Sequence, residues 1–372
     1  SIPLLAIVSD VARGWEHRRT RGNASQAMDQ MEMFKPVSKW QVRVTDPKSI
    51  DNIVQQALRV ATTGKPGPVV VCIPDDVASA DVEFRELVKG SQGAVFPRFR
   101  SAPDPAEVTR ACELLGSAVR PVVVAGGGAH ISGCYAQLRE LIEKTGAGLV
   151  TSISGKGMVE ETHQQVFGVT GTFGNPVARD IGKQADVVLL VGCKAGQLTT
   201  FNYRSPSREQ TVIHLDADPE EIGRNYPDSI PLLGDATLGL EALLAGLTDT
   251  AASSSWDFAA LNRQLDDWLE QQTQTESASV PLRPQAVMGV VREFLTDQDL
   301  VVCDASLASG WASAYLTFAQ AGRRCIAPRG LAGLGWGSPA AIGASLAREK
   351  ATRILHFAGD GGFGYSLQEM EV

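Results

Sequence analysis

The sequence predicts an α/β protein made of three domains with parallel sheets, the first and the last of them incomplete. Short apolar runs that end in Gly or Asp alternate with amphipathic stretches along the chain, which is typical of parallel βα units. A length of 372 residues exceeds the roughly 250–300 residues at which single cores stop growing, so several domains are expected. An apolar run begins at Ile2 and a helical pattern is still running at Val372, so we expect both outer domains to be cut short.

Bulk composition excludes several classes of partner. The net charge of -8 does not favour nucleic acid or an anionic membrane, because both need clustered Lys and Arg. No apolar run approaches the roughly 20 residues that span a bilayer. The six cysteines show no paired spacing and are expected to be small buried hydrophobes in a reducing compartment. We therefore expect a cytoplasmic protein without nucleic-acid or membrane partners.

The first block, residues 1–79, is predicted to hold two strands and a helix. Ile2 to Val8 is an apolar run suited to a buried strand, and Ile50 to Ala61 has apolar residues at helical spacing. A Gly- and Pro-rich stretch ends that helix, and Val69 to Ile73 follows as the second strand. Residues 80–103 lack strong periodicity, which predicts a linker.

The second block, residues 104–250, has the most regular alternation of strands and helices. Helices are predicted near Ala106 to Gly116 and around Gln137 to Lys144. The predicted strands are Pro121 to Ala125, Leu149 to Ile153, Val187 to Val191 and Val212 to Asp216. Residues 251–282 begin with small polar residues and continue as a helical pattern, so they are predicted to form a helix-bearing connector.

The third block, residues 283–372, repeats the same pattern. A helix is predicted at Gln285 to Leu295, and strands are predicted at Leu300 to Cys303 and at Arg353 to Phe357. Between the two strands lies a segment of small residues, from Leu331 to Arg348.

The strongest local signal is the run Gly359-Asp360-Gly361-Gly362, directly after a predicted strand. Ligands in open α/β sheets bind beyond the carboxyl ends of the strands. Glycines there let backbone N–H groups approach a phosphate closely, and a single carboxylate suits Mg²⁺, whose other ligands are phosphate oxygens and water. The same residues also suit a tight turn with an Asp cap, so this run alone leaves both interpretations open.

Two further loops of the third block favour the ligand. The segment Asp304 to Ala312 follows a strand and carries the hydroxyls of Ser306 and Ser309 on a backbone of small residues. The segment Gly330 to Gly343 has a glycine density that neither a helix nor a strand tolerates without cause. Three such loops in one block predict a site for a diphosphate cofactor.

In these loops the third block resembles the cofactor-diphosphate domain of the thiamine-diphosphate-dependent enzymes, specifically the group of acetolactate synthase large catalytic subunits. Gly359-Asp360-Gly361 matches the start of the family's GDG…N metal motif. Asp304 to Ala312 lies where the family has DxGxxxxWA, and Gly330 to Gly343 is similar to its GGLGxMGxGLPAAIGA run. The first block resembles part of the family's aminopyrimidine-side domain, and the second block resembles its central domain.

This resemblance implies a cofactor, a reaction and an assembly. We expect thiamine diphosphate and Mg²⁺ in an active site between the subunits of a homodimer or homotetramer, with Asp360 as the metal ligand. The expected cofactor-binding residues are Ser306, Ser309, Gly333, Leu334, Gly359, Gly361, Gly362 and Gln26. The expected reaction is decarboxylation of a small 2-oxo acid with carboligation. A simple decarboxylase or acyl transferase of the same family, and a non-catalytic nucleotide-binding module, stay open as alternatives.

Several family residues are absent or replaced. The catalytic glutamate is expected before residue 1 and the motif's Asn beyond Val372, so no catalytic residue is assigned and this stretch alone is expected to be inactive. The family's His-Gln in the phosphate loop is Ala308-Ser309 here, and its usual Met is Leu334. These changes favour a less typical relative of acetolactate synthase.

The second block raises the question of a bound nucleotide. Glycines follow one of its strands and Asp216 ends another, but their spacing is too long for the single-unit dinucleotide fingerprint. The segment Gly192 to Gln197 lacks the Arg and Asp found there in flavin-binding members. FAD, an ADP-like nucleotide or no ligand therefore all stay open. The expected contacts of a nucleotide are Gly126, Gly127, Gly128, Gly192, Lys194, Asp216 and Asp235.

Overall fold

The fold is described by a computed structural model that covers residues 2–19, 23–83, 96–248, 254–277, 280–347 and 352–371. The chain divides into two compact units, Ser1–Arg100 and Ser101–Val372. The described strands form three sheets in which every pairing is parallel, which confirms the predicted α/β class. Within these ranges no helix has the length and apolarity that crossing a membrane requires.

The first unit contains a three-stranded sheet in the order β1-β3-β2. Its strands are β1 (Leu4–Asp10), β2 (Trp40–Arg43) and β3 (Pro68–Pro74). Its helices are α1 (Gln30–Phe34), α2 (Ile50–Thr62) and α3 (Asp75–Ala78). The buried face of α2, which includes Ala57 and Ala61, joins Val69 and Val71 of β3 in one hydrophobic cluster. Of the predicted linker 80–103, residues 84–95 lie outside the described ranges.

A buried carboxylate anchors the carboxyl edge of this first sheet. Asp10 ends β1, and its side chain accepts from Arg19 at 2.6 Å and lies 3.2 Å from a guanidinium nitrogen of Arg43 at the end of β2. The thiol of Cys72 on β3 lies 3.6 Å from the same carboxylate oxygen, and burial together with Asp10 raises the pKa of that thiol to about 11. The strand begins two residues later than predicted and ends two residues later, because Ser9 and Asp10 still pair with Ile73 and Pro74 of β3.

The second unit contains a six-stranded sheet in the order β6-β5-β4-β7-β8-β9. Its strands are β4 (Pro121–Ala125), β5 (Gly148–Thr151), β6 (Val166–Val169), β7 (Val187–Val191), β8 (Thr211–Asp216) and β9 (Ile230–Leu233). Every residue of the two central strands β4 and β7 is buried, as expected where helices cover both faces of a parallel sheet. The chain passes from β4 to one side and from β7 to the other, so the strand order reverses between β4 and β7.

Five helices surround this sheet, and several begin at a side-chain cap. They are α4 (Pro105–Ser117), α5 (Gly127–Ser132), α6 (Tyr135–Thr145), α7 (Pro176–Gln184) and α8 (Ala236–Gly246). The carboxylates of Asp104 and Asp235 and the amide oxygen of Asn175 accept the free N–H groups at the starts of α4, α8 and α7.

A second sheet in the same unit has the order β11-β10-β12. The elements are α9 (Phe258–Ser277), α10 (Pro284–Phe294), β10 (Leu300–Cys303), α11 (Leu307–Tyr315), β11 (Cys325–Ile326), α12 (Gly337–Ala347), β12 (Ile354–Phe357) and α13 (Asp360–Gly364). Met288 of α10 and Tyr315 of α11 pack on the strand β10 in one cluster. Residues 249–253 and 278–279, at the edges of the predicted connector, lie outside the described ranges.

A buried ion pair ties the six-stranded sheet's block to the β10 block. Lys156 and Glu161 lie 2.8 Å apart with side chains only 2% and 5% exposed. The other carboxylate oxygen of Glu161 accepts the N–H of Phe318, and the Glu161 N–H donates to the Phe318 carbonyl at 2.8 Å. Lys156 and Glu161 therefore join the two sheets' blocks within this unit.

The strand predictions were wrong in two respects. The strand predicted at Leu149 to Ile153 ends at Thr151, because the Ser152 hydroxyl accepts the Gly155 N–H and starts a 3-10 turn. The strands that the sequence did not predict are β2, β6, β9 and β11. The six cysteines are buried and free, as expected for small hydrophobes.

Candidate functional site

The three glycine-rich or hydroxyl-bearing loops of the third block meet at one sheet edge. Strands β10 and β12 are parallel neighbours with Cys303 opposite Phe357, so the residues that follow them emerge side by side. The N–H of Asp304 continues the ladder by donating to the Phe357 carbonyl at 2.8 Å. This edge is the position at which open α/β sheets bind their ligands.

Asp304 connects the loop after β10 to the glycine-rich segment. Its carboxylate accepts the N–H of Gly335 on one oxygen at 2.9 Å and the N–H of Gly337 on the other at 3.0 Å. A Cβ on Gly337 would stand 2.9 Å from the Asp304 Cβ and 2.4 Å from Nε2 of His356. The segment therefore needs glycine at position 337 for packing.

The turn after β12 contains glycines of two kinds. Gly359 and Gly361 are exposed, and a Cβ on either would meet nothing within 4 Å. Gly362 is buried, and its Cβ would lie 2.2 Å from Oδ2 of Asp304. Packing thus explains Gly362, but it does not explain Gly359 or Gly361, which leave backbone open to a ligand. Asp360 is exposed and begins α13.

The two serines after β10 have different surroundings. Ser306 is exposed and caps α11, its hydroxyl accepting the N–H of Ala308 at 3.1 Å. Ser309 is fully buried, and its hydroxyl donates to the Ser306 carbonyl at 2.8 Å. The Ser309 hydroxyl therefore supports the loop from inside, and only Ser306 presents its hydroxyl at the surface.

The remaining predicted cofactor residues are exposed. Gly333 has open space at its Cα, and the Leu334 side chain is 57% exposed although it is large and apolar. Gln26 belongs to the first unit, is exposed, and has a backbone φ of 56°, which is uncommon for a residue other than glycine. Residues 20–22, just before Gln26's segment, lie outside the described ranges.

This edge of the β10 sheet combines buried polar atoms with exposed glycines and an exposed carboxylate. Among the described residues, the hydroxyls of Ser338 and Ser366 and Nε2 of His356 are buried without a hydrogen-bond partner. Burial lowers the pKa of His356, although the nearby Asp304 carboxylate opposes this effect. Buried donors rarely stay unsatisfied, so a ligand or ordered water would complete them. The exposed glycines and the carboxylate of Asp360 match the needs of a diphosphate with Mg²⁺.

Within the ranges that the structure covers, no three His, Cys, Asp or Glu side chains form a complete set of metal ligands. A Mg²⁺ ion usually takes one or two protein carboxylates and completes its octahedron with phosphate oxygens and water. Asp360 alone therefore suits a metal that is shared with a diphosphate.

The central crevice of the six-stranded sheet is occupied by its own backbone. It lies between β4 and β7, where the strand order reverses and ligands commonly bind. Gly128 donates its N–H to the Gly192 carbonyl at 2.9 Å, and a Cβ on Gly126 would lie 2.2 Å from that same oxygen. A Cβ on Gly127 would touch Ser154 at 3.0 Å. Close packing between the loops after β4 and β7 therefore explains these glycines without a nucleotide.

The other predicted nucleotide contacts are also engaged within the protein. Lys194 lies 3.8 Å from the buried Glu221 carboxylate. Asp235 caps α8 and accepts the hydroxyl of Ser132 at 2.8 Å. Asp216, at the same sheet edge as Gly126 to Gly128, accepts the Asp218 N–H, and burial raises its pKa to about 6. Each of these residues already has a contact within the protein. None of them therefore indicates bound FAD.

Sequence reasoning missed Asp304 and His356 as members of this site. Asp304 lies in a segment that was recognised as a loop, but its carboxylate is buried and organises the glycine segment instead of facing a ligand. A single acidic residue directly after an apolar strand was the available signal. For His356, in the middle of a predicted strand, the sequence offered no signal.

Comparisons with known proteins agree with this arrangement. The family model for the central domain of thiamine pyrophosphate enzymes matches residues 108–243, and the model for their C-terminal TPP binding domain matches residues 304–372. The chain belongs to the thiamine-diphosphate-dependent enzymes.

Within that family the chain is acetolactate synthase-like. It is 29% identical to a probable acetolactate synthase large subunit of Methanocaldococcus jannaschii, over 100% of this chain and 62% of that protein. It is 30% identical to the acetolactate synthase isozyme 3 large subunit of Escherichia coli, over 100% of this chain and 64% of that protein. It is 28% identical to acetolactate synthase 1, chloroplastic, of Zea mays, over 100% and 57% respectively. The chain thus spans less than two thirds of the length of these relatives.

Proposed function

We propose that the whole protein to which this chain belongs binds thiamine diphosphate with Mg²⁺ and decarboxylates a small 2-oxo acid, joining the product to a second carbonyl compound. The observation that carries the proposal is the convergence of three loops at the carboxyl edge of β10 and β12, with exposed Asp360 beside glycines that packing does not require. When bound, the cofactor supplies the electron sink that decarboxylation of a 2-oxo acid needs.

The residues of this chain would divide the work of holding that cofactor. Asp360 would provide the carboxylate for Mg²⁺, and Gly359 and Gly361 would let the backbone approach the diphosphate. Ser306 would add a hydroxyl from the neighbouring strand end. Leu334, whose side chain is 57% exposed, would supply an apolar surface to the cofactor.

Metal-dependent cofactor binding tests the proposal. Thiamine diphosphate is titrated into the protein by calorimetry with and without Mg²⁺, for wild type, Asp360→Ala and Asp360→Asn. We expect Mg²⁺-dependent binding in wild type, none in the alanine variant, and weakened binding in the asparagine variant, which keeps an oxygen ligand but loses the charge. The matched control is Asp180→Ala, because Asp180 is an exposed carboxylate on α7 of the central block. Wild-type affinity in Asp360→Ala would overturn the metal assignment.

The choice between carboligase and simple decarboxylase depends on the product. With pyruvate as the test substrate of the complete protein, a carboligase converts two pyruvates into acetolactate and one carbon dioxide. A simple decarboxylase converts each pyruvate into acetaldehyde and carbon dioxide. The names of the relatives support the first outcome. We also propose a homo-oligomer with the active site between copies, which sedimentation of the complete protein measures.

A further inference from the structure

The Asp304 carboxylate lies at the centre of the candidate site, but it is not placed as a ligand. The residue is 1% exposed, and none of the ion pairs found among the described residues includes it. Both oxygens are used by backbone donors, Gly335 and Gly337. Burying an unpaired carboxylate is unfavourable unless hydrogen bonds to the charged form offset the loss of water. The two N–H groups provide hydrogen bonds of that kind, and these bonds hold the glycine segment to β10.

The same side chain also contacts the turn that carries the proposed metal ligand. A Cβ on Gly362 would lie 2.2 Å from Oδ2 of Asp304, so the carboxylate lies directly against the Cα of Gly362. The Asp304 N–H meanwhile donates to Phe357, the last residue of β12. One residue therefore touches all three loops, through its backbone and through both of its carboxylate oxygens.

We propose that Asp304 is a positioning residue, which rests on the proposed cofactor function. It fixes the segment around Gly335 so that the adjacent Leu334 is exposed on the ligand side, and it fixes Gly362 so that Asp360 begins its helix at the same edge. Asp304 acts from beneath the site, because the residue is 1% exposed and each of its carboxylate oxygens accepts a backbone N–H. Asp360 and Asp304 thus have separate roles although both follow strand ends.

Amide hydrogen exchange tests the positioning role without any cofactor. Asp304→Asn keeps the side-chain volume but turns one acceptor into an NH₂ group that faces a backbone N–H. We expect exchange of the Gly335 and Gly337 amides to become at least about tenfold faster, because a hydrogen bond that protects them is lost. The matched control is Asp299→Asn, since Asp299 is equally buried at the opposite end of β10, where it pairs with Arg353 at 2.6 Å. That control should lower the thermal midpoint and leave exchange of the Gly335 and Gly337 amides unchanged.

The wild-type protein gives a second measurement that does not depend on a variant folding. The Gly335 and Gly337 amides should exchange more slowly than the amide of Gly333, which lies in the same segment and is exposed. Equal exchange at the three glycines would overturn the proposal. So would an unchanged exchange rate of the Gly335 and Gly337 amides in Asp304→Asn.

Calorimetry with thiamine diphosphate and Mg²⁺ separates this inference from the proposed function. We expect affinity on the order of tenfold weaker in Asp304→Asn and wild-type affinity in Asp299→Asn. Equal affinity in wild type and Asp304→Asn would overturn the positioning role. A wild-type protein that binds no thiamine diphosphate would reject the cofactor function instead, and the exchange measurements would still decide whether Asp304 holds the loops.

Discussion

Two neighbouring glycines of the turn after β12 differ in what their replacement should do. Gly361 is exposed, and a Cβ added to it would meet nothing within 4 Å, whereas Gly362 is buried and its added Cβ would lie 2.2 Å from Oδ2 of Asp304. Both lie in α13, where the backbone accepts an alanine. Gly361→Ala therefore adds a methyl group to open space, and Gly362→Ala adds the same group to a space that Asp304 already fills.

The expected effects on stability have opposite signs. Gly361→Ala removes backbone freedom from the unfolded chain and should leave stability unchanged or raise it by about 0.5–1 kcal/mol. Gly362→Ala must displace the Asp304 carboxylate, and overpacking of this kind costs about 1–3 kcal/mol. Because the displaced carboxylate also holds Gly335 and Gly337, we expect the larger part of that range.

Affinity for the cofactor should follow a different order from stability. If Gly361 lets a diphosphate approach the backbone, its methyl group excludes that ligand, and Gly361→Ala should bind thiamine diphosphate with Mg²⁺ on the order of tenfold more weakly at full stability. Thermal unfolding and calorimetry on the same samples measure both quantities. Wild-type affinity in Gly361→Ala would refute the idea that this glycine serves a ligand, and wild-type stability in Gly362→Ala would refute the tight contact with Asp304.

Two buried groups of the central block should give pH effects of opposite sign. His130 lies between the Tyr135 hydroxyl and the Lys156 carbonyl, and burial lowers its pKa to about 4 from 6.5. Its contribution to stability is therefore present above pH 6.5 and is lost as the pH falls towards 4. Between pH 6.5 and 4 the unfolding free energy, measured by urea titration, should fall less in His130→Gln than in wild type, by on the order of 3 kcal/mol. An equal fall in both proteins would contradict this. Burial raises the pKa of Asp216 to about 6 from 3.8, so its stability contribution is lost as the pH rises through that range. Asp216→Asn should therefore be more stable than wild type at pH 7 by on the order of 1–3 kcal/mol and equally stable near pH 3.5. The same difference in unfolding free energy at both pH values would count against a buried carboxyl at position 216.

The strands that could be predicted closely share one property. β4, β7 and β10 are apolar runs buried along their whole length, bounded by Gly, Pro or Asp, and their predicted limits agree with the structure. Such runs are typical of strands inside a parallel sheet that has helices on both of its faces. The sequence did not predict the order of the strands, and the reversal between β4 and β7 has no local signal.

The strands that could not be predicted are short or contain residues that weaken a strand. β6 has a glycine among its four residues, β9 has a proline and lies at the sheet edge, and β11 has only two residues. β2 mixes polar and apolar residues over four positions. Each of them pairs with a neighbouring strand, β3, β5, β8 or β10, that lies outside its own stretch of sequence. Local pattern therefore cannot reveal them.

Glycine is the main signal for a site in this sequence, and its meaning depends on what lies next to the Cα. Gly126, Gly128 and Gly362 meet backbone or a buried carboxylate, so packing alone demands a residue without a Cβ. Gly359 and Gly361 meet nothing, and yet they flank the exposed carboxylate of Asp360. A glycine that packing does not require lowers helix stability, so it needs another reason to be there. Under the proposed function, the close approach of a diphosphate would supply that reason at the edge of the β10 sheet, whereas the central crevice needs no ligand to account for its glycines.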